Sequence, residues 1–553
     1  MKPEARRRFG IAATFLLVSA ALQAQQVFIT QDGVPRSVIV YAGESAMVQQ
    51  AIGELQRYIR QISGAELQLR QDPDPSFSTL HLIIQGDGDC IPDGQALSGL
   101  NQEGFIFRVS NDEALLAGRS ELGLQHAVYW LLEQWGCRWL FPGQAGEVVP
   151  HSPTLLLDRS METDQQPYFL MRELWYNYSS YLPESSKQDL IQWEKHNRLE
   201  YSFRGSIGHS YRQFVSHRDR ELFAAHPEYF PRLLGFRVRF GQICTGNQGV
   251  REIAARYAFD YFRRRPESAM VSLSPNDGAG PWRCPENRKY RSFSDAALDL
   301  ANYVAEALAQ NPETSDKMVA MYAYLDTSLP PTIRARDNVI VFFATRLGAS
   351  PWRWRIRAWA EKTTHLGIQD YASILPFHWT RPVWRLEALQ RNVKTWREHG
   401  VEAVNVESGN DWGGWGLYHY VLGRLLWDPD ANVEGIFEDF LERGFGGAAP
   451  PMRKYFTLWR RGYSDWKLEP AERAIKEALK AAVSPETRHR IEQYAQYVHY
   501  LQLLAAYRNA GQSEGRARAL RELMEASKSI MPTNMAHTGP LIGRFLNRRN
   551  TSR

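Results

Sequence analysis

Ala269-Met270-Val271-Ser272-Leu273-Ser274-Pro275-Asn276-Asp277-Gly278 and Met318-Val319-Ala320-Met321-Tyr322-Ala323-Tyr324-Leu325-Asp326 are short apolar runs that each lead into a carboxylate, and a helical pattern, Ser294–Gln310, lies between them. Two buried strands joined through a helix are the unit of a parallel sheet, because parallel neighbours need a long crossover connection. Working outward, eight such runs occur, at Tyr168–Trp175, Arg198–Phe203, Gly241–Thr245, Ala269–Ser274, Met318–Leu325, Asn338–Ala344, Tyr371–Phe377 and Val401–Val406. Helical patterns stand at Glu184–His196, Val250–Arg264, Ser294–Gln310, Pro351–His365, Val383–His399 and Gly416–Leu426, while the short interval Thr327–Asp337 is the one where a helix is in question. This alternation predicts an α/β fold with a (β/α)8 TIM barrel over residues 165–430.

The flanks read differently. Strand patterns at Ser37–Tyr41, Leu80–Ile84, Gly104–Val109 and Glu113–Gly118, with helices at Met47–Ile62 and Gly123–Trp135, predict a small α+β domain over residues 27–158. Residues 431–532 read as a helical C-terminal region, and residues 533–553 as a loosely ordered tail. At the start, Arg6-Arg7-Arg8, an apolar run from Phe9 to Leu22 and then Gln23, Gln25 and Gln26 form a secretory signal pattern over residues 1–24. Export to the periplasm or exterior is the expectation, with no membrane insertion once the signal is removed. The alternative, an uncleaved anchor, has an apolar run shorter than the ~20 residues that span a bilayer.

Composition narrows the chemistry. With 44% hydrophobic and 23% charged residues the chain is globular, and aromatics are enriched at 12%. The formal charge is +5, of which Lys2, Arg6, Arg7 and Arg8 less Glu4 supply +3, so the remainder carries +2 and gives no electrostatic case for nucleic acid. Of four cysteines, none stands in a C-x-x-C pair, so neither a structural zinc site nor any other metal or cofactor is expected. A Cys244–Cys284 disulfide and four buried thiols are both open. No G-x-S-x-G, P-loop or G-x-G-x-x-G motif occurs, which sets aside serine hydrolases, NTPases and nicotinamide enzymes.

Residues just after barrel strands line one mouth, so carboxylates there are the catalytic candidates. Strand four ends at Asn276-Asp277-Gly278, where an amide beside a carboxylate suits the hydrolysis of an N-acetylhexosamine: Asn276 orients the acetamide and Asp277 exchanges the proton. Strand eight ends at Glu407, before a loop rich in glycine and tryptophan, Gly409–Gly416. Asp277, Glu407 and Asn276 are the catalytic set, against the plainer readings of turn residues and a salt-bridged Glu. Sugars present flat C–H faces and hydroxyls, so Trp175, Tyr324, His378, Trp379, Trp412 and Trp415, with Arg172 and Asp326, form the substrate-binding set. Core packing is the competing role for each aromatic. In this reading Gly413, Gly414 and Gly416 let Trp412 and Trp415 fold over the mouth as a platform.

Ser274-Pro275-Asn276-Asp277-Gly278, Ala225-His226-Pro227-Glu228-Tyr229-Phe230 and Trp412-Gly413-Gly414-Trp415-Gly416 together resemble the domain of unknown function 4838 family, much of which is classed as glycoside hydrolase family 163. Gly104–Pro150, with Gly136-Cys137-Arg138-Trp139, is similar to the small domain before the barrel in family 20 hexosaminidases and family 67 α-glucuronidases. The resemblance implies a retaining endo-β-N-acetylglucosaminidase acting on N-glycans, with the substrate's own acetamide as nucleophile. It departs from family 20 in that an Asn precedes the single carboxylate at strand four, and the cysteines downstream of that motif are reduced to Cys284. Two other readings stand beside it. An α-glucuronidase-like or other exo-glycosidase needs a basic subsite, such as Arg172 with Arg204 or Arg381, and a non-catalytic barrel would bind carbohydrate without cleaving it.

Overall fold

The computed structural model describes residues 26–84, 97–111, 113–176, 180–345, 352–374, 381–382, 385–460, 462–511, 514–539 and 541–543. The chain divides into two compact units, the first running to Pro167 and taking in Gln192–Arg198, the second holding the rest.

In the first unit six strands form one mixed sheet, in the order Glu162–Gln165, Phe105–Ser110, Glu113–Gly118, Ser78–Ile84, Ser37–Val40, Leu69–Arg70. Helix Ala46–Ser63 buries Val48, Ile52, Leu55, Ile59 and Ile62, apolar positions spaced by three or four. Ser45 caps its start and left-handed Gly64 ends it. A second helix, Glu121–Gln134, is buried over most of its length because Gln125, His126, Ala127 and Tyr129 are covered as well as the apolar stripe Leu124, Val128, Leu131 and Leu132. His196 stacks on Trp139 at 4.6 Å and meets Glu54 at 2.7 Å.

The second unit is built on a six-stranded parallel sheet: β1 Met171–Tyr176, β2 Met270–Ser272, β3 Met318–Ala323, β4 Val339–Ala344, β5 His365–Tyr371 and β6 Val401–Ser408. Their order is β1-β6-β5-β4-β3-β2. In a flat sheet of this width the two edges would stand roughly 24 Å apart at ~4.8 Å per strand. Instead, Met171 of β1 and Met270 of β2 share one core cluster with Ala320, Tyr322, Ile340, Phe342 and Ala403. The sheet is therefore curled into a half-barrel whose inward side chains meet.

The eight runs do not all become strands. Arg198–Phe203 is irregular, but this run and the chain just beyond it touch both sheet edges: Glu200 O accepts from Arg172 Nη2 at 2.5 Å, and Gly205 and His209 form isolated bridges to Met270 and Ser274. Tyr201, Phe203 and Ile207 from this segment pack against the core cluster. Gly241–Thr245 is buried without joining a ladder, since Gln242 N donates to Pro281 O and Cys244 N to Tyr229 O. A disulfide joins Cys244 to Cys284, which settles one of the two cysteine readings. The run placed at Tyr371–Phe377 is the strand His365–Tyr371, only its first residue being shared. Polar His365, Gln369 and Asp370 disguised it, and each is satisfied across the sheet: by Glu402, by Tyr322 and Asn405, and by Thr345. Among the described residues six α-helices follow the last strand, Trp412–Trp427, Val433–Phe445, Ala449–Trp459, Leu468–Ala481, Pro485–Asn509 and Glu514–Ile530.

The expectation of a loose tail from residue 533 fails for the residues described. Asn534, Met535, Ala536, His537 and Thr538 are buried, and Trp412 N and Gly413 N donate to Asn534 O and Met535 O at 2.9 Å. Among the described residues, no helix is long and apolar enough to cross a membrane.

Candidate active site

Parallel register fixes which side chains share the inward face. Trp175 pairs with Glu407, and Glu407 with Tyr371, so these three lie side by side at the C-terminal ends of β1, β6 and β5. One layer below, Glu173 pairs with Asn405 and Asn405 with Gln369. Asn405 Nδ2 donates to Gln369 Oε1 at 2.5 Å, and the Tyr322 hydroxyl donates to the same oxygen at 3.1 Å. This polar layer forms the floor.

Asp277 enters from the loop after β2, where Gly278 at φ +85° turns the chain in a conformation that other side chains resist. Its side chain is 69% exposed. The Tyr324 hydroxyl donates to Asp277 Oδ1 at 3.3 Å. His209 Nδ1 lies 2.5 Å from Pro275 O, which can only accept, so Nδ1 carries the hydrogen and Nε2 faces Asp277 Oδ1 at 3.6 Å. Burial, and then the charge of Asp277, raise the Glu407 carboxyl above the ordinary carboxylate range. Burial likewise pushes Tyr324 up to about 12, with Asp277 and then Glu407 adding to it. One tyrosine thus feels both carboxylates, and Asp277 and Glu407 share one mouth. Glu173, deeper in the site, is also raised, by burial that outweighs Tyr201 and Arg204.

Several expected site residues lie elsewhere. Asn276 is buried behind Asp277, its Nδ2 on Gly241 O at 2.9 Å and His217 Nε2 at 2.8 Å, so it pins two loops together instead of facing a substrate. Arg172 is fully buried on the outward face of β1, donating to Phe169 O and Glu200 O, with its guanidinium 5.5 Å from the Trp427 ring centre. Trp412 and Trp415 are fully buried in helix Trp412–Trp427 and form no platform. The glycines beside them serve close packing: a Cβ on Gly413 would sit 2.4 Å from the Tyr497 ring and 2.7 Å from Met535 O. Asp326 is exposed on the turn Leu325–Thr327 and makes no recorded contact with Asp277 or Glu407. Trp175, 47% exposed beside Glu407, is the aromatic open at the mouth. His378 and Trp379 lie outside the described residues.

The floor residues Gln369 and Asn405 were missed. Asn405 stands between apolar Val404 and Val406, where a buried strand tolerates an amide only with partners, whereas Gln369 sits beside Asp370 in a strand whose polar residues hid it. Among the described residues, the one His, Cys, Asp and Glu grouping tight enough for a metal is Cys244, Cys284 and Glu286, and its two sulfurs are joined to each other.

Fold and site together define an α/β protein with a curled parallel sheet and a carboxylate-bearing mouth. The model of the domain of unknown function DUF4838 matches residues 141–457, more than half of the chain, and the protein belongs to that family. No curated protein matches it. Among solved structures, it is similar at 12% identity and a TM-score of 0.59 to a family GH115 4-O-methyl-α-glucuronidase with specificity for decorated arabinogalactans, over 92% of this chain and 78% of that one. CpGH84D is similar at 10% identity and a TM-score of 0.50, over 92% and 91%. At these identities the likeness concerns the fold.

Proposed function

We propose that the protein is a glycoside hydrolase that acts on N-acetylhexosamine-containing glycans, as a retaining endo-β-N-acetylglucosaminidase. The observation that carries this reading is a mouth with Glu407, beside Trp175 and Tyr371, and Asp277, whose Oδ1 accepts from Tyr324, burial raising the Glu407 carboxyl above its ordinary range. Glu407 donates that proton to the leaving glycosidic oxygen as the bond to the anomeric carbon breaks. The substrate's acetamide oxygen bonds to that carbon, while Asp277, held by Tyr324, accepts from the acetamide N–H. Water then attacks the anomeric carbon, returning its proton to Glu407 and freeing the acetamide. Trp175 supplies a flat face for a sugar ring. With Asn276 turned away, Asp277 takes over the acetamide-orienting role. The curled sheet, with residues 200–209 at its gap, is read as the larger part of a (β/α)8 barrel.

The signal pattern and the Cys244–Cys284 disulfide support export to an oxidising compartment, periplasmic or extracellular. The α-glucuronidase-like alternative loses Arg172, which is buried away from the mouth.

The purified chain should release product from a complex N-glycan or an aryl N-acetyl-β-hexosaminide, with the anomeric configuration retained in early proton NMR spectra. Asp277→Asn and Glu407→Gln should each lower turnover by ~10²–10⁴-fold. Inverted product would exclude acetamide participation, and full activity in both variants would overturn the assignment of the site.

A further inference from the structure

Away from these carboxylates, the second unit holds a cleft enclosing about 940 Å³ between the start of helix Leu386–Glu398 and the chain leaving helix Ala449–Trp459. That volume lies at the upper end of the roughly 300–1,000 Å³ typical of small-molecule sites. Its frame is fixed from within. Tyr463 stacks on Trp459 at 6.1 Å with the rings 12° from parallel. Lys467 Nζ is spent on Leu458 O at 2.7 Å and Gly462 O at 2.5 Å. Arg460 is held by Glu387 at 2.5 Å and Glu434 at 3.6 Å.

Two lining side chains are exposed at the cleft, Arg385 and Trp466, with Lys467 Nζ 5.6 Å from the centre of the Trp466 ring. Arg385 is exposed, its carbonyl accepts from Leu389 N at 3.1 Å, and its guanidinium makes no hydrogen bond or ion pair among the described residues. Trp466 is 68% exposed, although a large aromatic gains from losing water. A flat indole face and an unpaired guanidinium on the wall of one cleft match the two recognisable parts of an acidic sugar, its C–H face and its carboxylate. Arg460 and Lys467 are already engaged, which leaves Arg385 as the lining cation open to a ligand. We propose that this cleft binds a saccharide carrying a carboxylate, such as a uronic acid residue of a glycan chain, with Trp466 under the ring and Arg385 on the carboxylate.

Binding, not cleavage, is the readout, so the result stands apart from the hydrolase reading. Full-length chain carrying Glu407→Gln is titrated with trigalacturonate, and separately with neutral chitotriose, by calorimetry. Trigalacturonate should bind and weaken with added salt, and Trp466→Ala and Arg385→Gln should each reduce its affinity at least about tenfold, the cost of a charge-assisted hydrogen bond or a stacked ring. Both side chains are exposed, so the variants should melt with the parent. No binding of trigalacturonate, or binding that neither substitution weakens, would overturn the proposal. So would chitotriose binding as tightly through Trp466 with no dependence on Arg385.

Discussion

The Tyr324 hydroxyl donates to Asp277 Oδ1 over 3.3 Å, joining the end of β3 to the loop after β2. With His209 Nε2 at 3.6 Å from the same oxygen, this contact orients an otherwise exposed carboxylate, and orientation of this kind carries much of the rate when a reacting group must be met in one geometry. Tyr324→Phe keeps the ring and removes the donor. A hydrogen bond to a charged group is worth roughly 1.5–3 kcal/mol, so turnover should fall by about 10–100-fold with the melting temperature nearly unchanged. Unchanged turnover would show that Asp277 needs no such support.

Glu407 gives a test by titration. Its raised carboxyl owes more to burial than to Asp277, so in Asp277→Asn its pKa should fall while staying above the ordinary carboxylate value. Carbon NMR of labelled glutamate, assigned with Glu407→Gln, reads this directly. In the active chain a proton donor works only while protonated, so activity should be lost as pH rises through the Glu407 pKa. A Glu407 pKa that ignores the Asp277 substitution would separate the two groups.

Much of the second unit could be read from the chain, and the failures share a cause. The runs that became strands where expected, Tyr168–Trp175, Ala269–Ser274, Met318–Leu325, Asn338–Ala344 and Val401–Val406, are mostly apolar, as parallel strands covered by helices must be. His365–Tyr371 was misplaced because its polar residues are satisfied by partners distant in sequence, which periodicity does not register. The position of Asp277 and Glu407 after apolar runs is legible in the sequence, and both stand at the C-terminal side of the parallel sheet. Asn276, Arg172, Trp412 and Trp415 were misassigned because adjacency in sequence does not say which way a side chain faces. Arg172 and Glu173 are neighbours on β1, and alternation sends one outward to Trp427 and the other inward to the floor.

The C-terminal segment clamps the loop that follows Glu407. Asn410 Nδ2 donates to Asn534 Oδ1 at 3.0 Å, Asn410 Oδ1 meets His537 Nδ1 at 2.5 Å, and all three residues are buried. Removing one partner leaves a buried amide short of a bond, which costs about 1–3 kcal/mol. Asn534→Ala should therefore lower stability by that amount in urea denaturation. If it costs nothing, the segment rests on the loop without supporting it.

Asp411, four residues beyond Glu407, begins helix Trp412–Trp427 from a fully buried position. Burial pushes its carboxyl up to about 7 against a smaller pull from Ser373. The helix N-terminus favours the anion by at most ~2 kcal/mol, too little to offset a desolvation of this size. Its usual value is 3.8, so between that pH and about 7 the folded chain keeps a proton that the unfolded chain has released. Stability contributed at low pH is thus lost as pH rises through this window, by up to about 4 kcal/mol at ~1.4 kcal/mol per pKa unit. Asp411→Asn preserves the shape and removes the titration. Relative to the parent, the variant should gain stability between about pH 5 and about pH 8 in urea denaturation. An identical difference at both pH values would show that Asp411 does not change its charge in that range.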